Sequence, residues 1–355
     1  MNYTLQLTDA PSADERNYLH QQLRAHNTAV SPYHRAARQP GAIEPLALFV
    51  RNESGQIMGG LTGDTFWNNW LEIADLWLDE SLRGQGLGRE LLRRAETEAI
   101  VRGCTQAHLK TFSFQARGFY EKYGWRAIGV LEDYPPGETF FWLRKDFGRP
   151  AERVSFKSVQ TDDDVLAYLA QINRNHPARY QVMAHLEAQL AALPGDSPRV
   201  VELCHGPGML ARRLVSRLPQ LHYTGFDFSQ PFVEFARRQL APFASRAAVI
   251  RANLNADGWP AQVPQPLHAI VSLQSLHDLG GEAEVSRIYR LARGLLAPGG
   301  LFINADLTAP EGGAVADNPG RLSVSRHLDL LREYGFMRVE CTLQLDDFAC
   351  VVGRP

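Results

Sequence analysis

The spacing of apolar residues divides the chain into short strands and amphipathic helices, and the pattern differs between its two halves. In the first half Tyr3 to Leu7 reads as a strand and Ser12 to Ala25 as a helix opened by a serine cap. Leu46 to Arg51 and Gln56 to Phe66 flank Asn52-Glu53-Ser54-Gly55, a turn sequence that predicts a hairpin. Trp70 to Leu78 is the next strand, and Arg89 to Arg102 is a helix with Leu91, Leu92, Ala95, Ala99 and Ile100 on its apolar side. A strand over Gln106 to Thr111, a short helix over Gln115 to Tyr123 and strands over Trp125 to Leu131 and Thr139 to Leu143 complete this half.

The second half alternates strand and helix more regularly, which predicts a parallel sheet. Strands are read at Arg199 to Leu203, Leu221 to Phe226, Ala248 to Ala252, His268 to Leu273 and Gly300 to Ala305. Helices follow at Met209 to Leu218, Pro231 to Leu240 and Glu282 to Leu296, and Met337 to Leu345 with Phe348 to Gly353 reads as a terminal hairpin. Between the halves, Gly148-Arg149-Pro150 breaks the pattern, Val154 to Val159 reads as extended, and Thr161-Asp162-Asp163-Asp164 opens a helix with acids where its N-terminus favours them. These boundaries predict domains over 1–147 and 161–355, joined by a linker over 148–160. The stretch Val165 to Leu190 is expected to form a helical lid, with Arg179 or Tyr180 near a substrate.

Composition narrows the picture only a little. At 355 residues the chain is comfortable for two domains, and 45% hydrophobic with 21% charged residues is ordinary for globular protein. No apolar run reaches the ~20 residues of a membrane span, and no secretory leader is read at Met1 to Thr4. Cys104, Cys204, Cys341 and Cys350 lack metal-type spacing, so reduced thiols in a cytoplasmic protein without a metal site are expected. A net charge of −2 argues against nucleic acid as partner, since phosphate binding leaves a basic footprint.

The candidate chemistry gathers at two glycine-rich turns, Arg83-Gly84-Gln85-Gly86-Leu87-Gly88 and Glu202-Leu203-Cys204-His205-Gly206-Pro207-Gly208. Each joins a strand to a helix, a geometry that brings backbone N–H groups close to an anionic or polar cofactor. With Ala116-Arg117-Gly118-Phe119-Tyr120-Glu121-Lys122-Tyr123-Gly124-Trp125 at the expected separation, the first turn resembles the GCN5-related N-acetyltransferase (GNAT) family over about residues 1–147. The resemblance implies a mixed sheet with flanking helices and acetyl-CoA or another acyl-CoA as cofactor. It further implies a pyrophosphate cradle at Arg83, Gly84, Gln85, Gly86, Leu87 and Gly88, and cofactor contacts at Leu78 and Ser113, the latter where the family often has asparagine. Tyr120 would protonate the leaving thiolate, and Glu72 or, second, Asp75 would act as base. Strand alternation puts those two acids on opposite faces unless a bulge intervenes.

The second turn, with Leu295-Leu296-Ala297-Pro298-Gly299-Gly300-Leu301, resembles class I S-adenosylmethionine-dependent methyltransferases over about residues 160–353. That resemblance implies a Rossmann-like α/β fold with S-adenosyl-L-methionine held by Glu202, Cys204, Gly206, Gly208, Asp227, Phe228, Asn253, Leu254 and Gln274. Asp257 and Trp259 are weaker candidates, His277 is the candidate base, and Cys204 departs from the family's glycine. An NAD-type reading competes, but Gly-x-Gly-x-x-Gly is absent. The expected product is a bifunctional tailoring enzyme acting on a small metabolite of secondary metabolism, free of membrane contact and able to form a homodimer. Two alternatives stay open: one half serves only as a binding or dimerisation module, or the substrate is a protein or RNA.

Overall fold

The computed structural model describes residues 4–39, 41–66, 69–148, 154–313 and 315–355. It falls into two compact units, Met1–Ala99 with Gln106–Lys145 and Ile100–Thr105 with Asp146–Pro355.

The first unit begins with helices α1 (Ala13–Val30) and α2 (Pro32–Ala36), followed by strands β1 (Ile43–Arg51), β2 (Ile57–Phe66) and β3 (Trp70–Leu78). Helix α3 (Leu87–Val101), β4 (Gln106–Phe112), α4 (Arg117–Lys122), β5 (Arg126–Glu132) and β6 (Thr139–Asp146) complete it. The strands form one sheet in the order β1-β2-β3-β4-β6-β5, with β3 and β4 parallel. One face of that sheet is apolar: Leu46, Leu61, Leu71, Ile73, Ala107, Leu109 and Leu143 are buried, as are Leu91, Leu92, Ala95 and Ala99 of α3. The α3 carboxylate of Glu96 accepts the Trp125 indole N–H at 3.1 Å and the Lys145 ammonium at 2.7 Å, tying the helix to β5 and β6. Burial pushes the Glu96 carboxyl up against the pull of Lys145.

Two early expectations change here. Among residues 4–8 there is no strand, and Tyr3 lies outside the described residues. The helix begins behind Ser12 as expected, with a Ser12–Glu15 capping box, but continues to Val30. The second change concerns Glu72 and Asp75. Thr62 pairs with Asp75 while its neighbour Gly63 pairs with Ile73, so Ala74 is an extra residue in β3. This bulge restores both acids to one face, the face of Thr62 and Asp64.

The second unit opens with α5 (Asp162–Asn175) and α6 (Arg179–Ala191). Thr161 and Asp164 form a capping box on α5, and the break before α6 falls at His176-Pro177, where proline disfavours helical backbone in the preceding residue. Val154 to Val159 holds a 3-10 turn at Phe156–Ser158 in place of the expected extended piece. Residues 149–153 of the proposed linker lie outside the described residues. Then come β7 (Arg199–Leu203), α7 (Met209–Arg217), β8 (His222–Asp227), α8 (Gln230–Leu240), β9 (Ala247–Arg251), β10 (Ala269–Leu273), α9 (Glu282–Leu295), β11 (Leu301–Leu307), α10 (Val324–Glu333), β12 (Met337–Leu345) and β13 (Phe348–Arg354). The sheet order is β12-β13-β11-β10-β7-β8-β9, parallel from β11 to β9 and antiparallel at the β12–β13 edge. Strand order reverses at β7, so the carboxyl ends of β7 and β10 diverge into a crevice, where open α/β sheets bind ligands.

Gly63 tests the bulge. A Cβ there would lie 2.2 Å from the Glu72 carbonyl oxygen, a backbone atom that cannot swing away. Gly63→Ala is expected to destabilise the first unit by ~1–3 kcal/mol, the range of overpacked sites, read as a lower thermal midpoint.

Candidate active sites

In the first unit the site is built where β3 leaves its neighbour. Pairing of β3 with β4 runs from Trp70–Gln106 to Ile73–Leu109 and stops at the bulge, although β3 continues to Leu78. The β4-facing edge of residues 74–78 therefore carries backbone groups outside that ladder, an edge on which an extended amide-bearing chain can pair. Immediately beyond, a 3-10 turn at Glu80–Leu82 leads into the glycine turn. Gly84 and Gly86 sit at φ +75° and +83°, left-handed backbone that favours glycine, while a Cβ on Gly88 would make ordinary contact with Phe119. The Arg83 Nε donates to the Leu78 carbonyl at 3.0 Å and the Gln85 amide to the Ser81 carbonyl at 2.8 Å, fixing the turn. Leu87 starts α3, whose first N–H groups have no intrahelical acceptor.

Tyr120 lies on α4, buried against Phe119 and Trp125 with ring centroids 5.2 and 6.0 Å away. Burial pushes its phenol above the ordinary range, so it stays protonated at neutral pH and can donate a proton. Glu72 stands 3.8 Å from the Lys110 ammonium, and Asp75 accepts the Thr62 hydroxyl at 3.0 Å. Sequence reasoning missed His108, which lies beside Glu72 among Trp70, Phe66 and Trp142 with centroids 5.5–5.8 Å away. Burial lowers its pKa, opposed by Glu72, and its Nδ1 accepts the Trp142 indole N–H at 3.3 Å. The Ser113 hydroxyl is engaged within the protein: it donates to Glu138 and accepts the Thr139 N–H at 2.9 Å.

The second unit places its glycine turn at the crevice. Cys204, Gly206 and Gly208 have φ of +55°, +55° and +87°, so Cys204 adopts the left-handed backbone a glycine would adopt without strain. Gly208 is held by close packing, since its Cβ would lie 3.1 Å from the Ala236 Cβ of α8. The Asp227 carboxylate at the end of β8 accepts the Gly206 N–H at 2.8 Å and the Ser229 N–H at 2.9 Å. Each oxygen keeps a lone pair for a further donor. Phe228 beside it is exposed, and the Asn253 side chain accepts the N–H of Asn255 at 2.9 Å. Leu254 is buried, its carbonyl accepting Arg287 at 2.7 Å. Trp259 is a core residue edge-on to Phe226, and Asp257 pairs with Arg287 at the surface.

Several polar groups around this crevice are buried. Glu202 accepts the Tyr223 hydroxyl at 2.6 Å, and burial pushes its carboxyl up to about 8 against the pull of Tyr223 and Arg179. Arg179 of α6 reaches Met209 Sδ at 3.3 Å, and its buried Nε has no protein acceptor. The Gln274 Oε1 is likewise buried without a donor. Orphaned polar atoms are rare in folded proteins, and these two fit a zwitterionic cofactor lying along the turn. His205 packs its ring against Gly225, where a Cβ would come within 2.8 Å of it, and burial keeps it neutral, a packing role.

His277 follows β10 in a 3-10 turn, where its Nδ1 meets Asp306 Oδ1 at 2.5 Å and its N–H donates to Asp306 Oδ2 at 3.1 Å. Its Nε2 is 3.4 Å from Asp278. Burial works to lower the His277 pKa, but Asp306 and Asp278 outweigh it and hold it above the ordinary value; Asp306 in turn is held low by His277 despite burial. An imidazole oriented through Nδ1 by a buried carboxylate is a competent base at Nε2. Sequence reasoning missed Asp306. Its signal was a lone acid inside the apolar run Leu301 to Leu307. Among the described residues no cluster of three or more metal-ligating side chains occurs, and no helix is long and apolar enough to cross a membrane.

The geometry thus gives a mixed-sheet unit and a Rossmann-like unit, each with a left-handed turn between a strand and a helix. Residues 13–125 match the model of the acetyltransferase (GNAT) family, and residues 201–302 match a methyltransferase domain model. The chain is 40% identical over 130 residues to blasticidin-S acetyltransferase of Streptomyces morookaense, covering 35% of this chain and 95% of that protein. It is 39% identical over 102 residues to an acetyltransferase of Agrobacterium fabrum, 29% of this chain and 74% of that one. Its second half is 29% identical over 164 residues to trans-aconitate 2-methyltransferase of Streptomyces coelicolor, 46% of this chain and 48% of that protein, so the chain spans about half the length of this methyltransferase relative. Through its first unit the chain belongs to the GNAT acetyltransferase family, and its second unit matches a methyltransferase domain. Acetyl-CoA and S-adenosylmethionine are the cofactors of the two enzyme classes.

Cys204 separates strain from size at the methyltransferase turn. Cys204→Gly is expected to leave stability within ~1 kcal/mol, because lost strain and added chain entropy offset. Cys204→Val places a β-branched residue in left-handed backbone and is expected to cost ~1–2 kcal/mol or more in the same thermal melt.

Proposed function

We propose that the chain is a bifunctional tailoring enzyme that acetylates an amine and methylates the same or a related small metabolite. Its domains would span 1–147 and 161–355, with 148–160 as linker and α5–α6 as a lid over the methyl-transfer crevice. Secondary metabolism in the cytoplasm is the setting that economy of fusion favours, with a homodimer open to the chain. The observation that carries this reading is that each unit keeps both parts of its site: a left-handed glycine turn and, beside it, titratable groups suited to proton transfer.

For acetyl transfer, acetyl-CoA supplies the activated acyl group when bound. Gly84 to Gly88 and the open edge of β3 would hold it. Glu72, with Asp75 and His108 on the same face, would take the proton of the incoming amine, directly or through water. Tyr120 would return a proton to the departing thiolate, which its burial-raised phenol is suited to do. An amine acceptor is in keeping with a relative named blasticidin-S acetyltransferase.

For methyl transfer, S-adenosylmethionine supplies an electrophilic methyl group when bound. Asp227, Gln274 and Arg179 would hold it, with Phe228, Asn253 and Leu254 beside them. His277, oriented by Asp306, would remove the proton of the acceptor. Arg321 stands close enough to His277 to act on its charge, and its Nε is buried without a partner. That arrangement supports an acceptor bearing a carboxylate, consistent with a relative named for methylating trans-aconitate. An amine that also carries a carboxylate would satisfy both sites.

Incubating metabolite extracts with both cofactors should add the mass of an acetyl and of a methyl group to one compound; no addition from either cofactor overturns the reading. Tyr120→Phe should lower the acetylation kcat by ~10²-fold or more while leaving methylation intact. Because His277 is held above its ordinary value near 6.5, the methylation rate should rise with pH through a limb above that value. Asp306→Asn removes the group that holds it there, so burial dominates: the limb should move to lower pH and the rate should fall by ~10²-fold or more.

A further inference from the structure

Besides the His277–Asp306 pair, the core of the second unit holds a line of polar side chains that the proposed mechanism leaves unused. Ser272 of β10, Tyr289 of α9, Asn304 of β11 and His327 of α10 are each no more than 1% exposed. The Asn304 Nδ2 donates to the Tyr289 oxygen at 3.1 Å, and that hydroxyl lies 2.8 Å from His327 Nδ1. The order of donors fixes the hydrogen on the imidazole. Tyr289 accepts from Asn304, so its own O–H is given to His327, and Nδ1 is the acceptor. A neutral His327 therefore carries its hydrogen on Nε2, a buried atom with no protein acceptor.

β11 brings this line to Asp306. Asn304 and Asp306 are two residues apart in the strand, so their side chains leave the same face, roughly 7 Å from each other. His327, one hydrogen bond beyond Tyr289, is close enough to Asp306 for each to act on the other's charge. Burial works to raise the Asp306 carboxyl, and His277 first and His327 after it hold it low. On His327 burial prevails over the pull of Asp306, so the imidazole is neutral at neutral pH.

Stability gives no reason to keep such a line. Ser272 Oγ, Asn304 Oδ1 and His327 Nε2 are all buried without a protein partner. A half-satisfied polar network is worth less than an apolar core, and Leu330 and Leu331 of the same helix join the apolar cluster around it. We propose that His327 is a positioning residue for methyl transfer, its Nε2–H supporting the Asp306 carboxylate that orients His277. This role rests on the methyltransferase reading given above.

The effect is electrostatic. The positive end of the His327 N–H lies near the pair and works against a second proton on His277. Without it, Asp306 holds the imidazolium more tightly, and less His277 is free base at neutral pH. The other groups in reach are Asp278, Arg321 and His176 around His277, Cys204 and Tyr289 around Asp306, and Glu282 around His327. A substitution at 327 leaves all of them in place.

Nuclear magnetic resonance of the histidine-labelled full chain reads the imidazole titrations without cofactor or acceptor, the His277 signal being the one missing from His277→Gln. In His327→Leu the His277 midpoint should rise by roughly half a pH unit or more, opposite to the fall expected for Asp306→Asn. His327→Gln offers Tyr289 an acceptor and keeps an N–H but takes no charge, so it should restore the parent midpoint. An unmoved or lowered midpoint in His327→Leu, or a glutamine variant that moves as far as the leucine one, overturns the proposal. Should circular dichroism show His327→Leu unfolded, Tyr289→Phe decides instead. Without that hydroxyl the imidazole hydrogen is no longer held on Nε2, so the midpoint should rise; an unmoved one overturns the proposal. In the activity arm, with a metabolite extract as acceptor, the pH limb of the methylation kcat should follow the midpoint while KM for S-adenosylmethionine is unchanged. A limb that stays while the midpoint moves overturns the positioning role. A parent chain that methylates nothing fails the functional reading instead, and the titrations alone then judge the coupling of His327 to His277.

Discussion

Both sites depend on one constraint: a buried strand must become a helix within a few residues while the helix's first N–H groups stay open to a ligand. That reversal requires left-handed backbone, and both turns supply it, at Gly84 and Gly86 in one unit and at Cys204, Gly206 and Gly208 in the other. The flanking packing then differs. The first turn is free of side-chain crowding at Gly84 and Gly86, so glycine is needed there for conformation alone. In the second, Gly208 is also needed for space, because α7 and α8 approach to within a methyl group of each other.

The remaining machinery is arranged around these turns by the ends of neighbouring strands. β3 parts from β4 just before the first turn, and β10 parts from β7 beside the second. Each unit places shifted titratable groups near its turn: burial raises the Tyr120 phenol in one and Glu202 in the other, while in the His277–Asp306 pair mutual attraction overrides burial. The two units thus reach similar ends by different sheet topologies, one mixed and one largely parallel.

Much of this was legible in the chain itself. Strong periodicity placed β3 at Trp70–Leu78 and the terminal hairpin at Met337–Leu345 with Phe348–Gly353, and proline and glycine marked the end of α9, whereas Val165 to Leu190, read as one helical stretch, is broken at His176-Pro177 into α5 and α6. What escaped reading was non-local. The Ala74 bulge is invisible in a strand whose composition is regular, since it is fixed by the ladder with β2. Asp306 lies 29 residues from His277 in sequence, and only the parallel pairing of β10 with β11 brings the two together. The segment before α1 alternates like a strand, but it finds no neighbour to pair with among the described residues; alternation states a preference that only tertiary contact can satisfy. Helix α10, amphipathic and unremarked in the sequence, packs His327 toward Tyr289 and Asn304 in the core.

The bulge in β3 also acts as a phase shifter. Upstream of it, even-numbered residues such as Glu72 look out from the apolar face; downstream, odd-numbered ones such as Asp75 and Trp77 do. A strand of nine residues therefore carries two alternation codes of opposite parity, and a single inserted position is the only punctuation between them. Any one-residue gain or loss on the loop side of Ala74 would leave the ladder with β2 intact in number yet exchange the inner and outer sets of the segment that leads into the glycine turn. The acid pair and the cofactor turn are in this sense held in step by Ala74, a residue whose own methyl group has no chemistry to contribute.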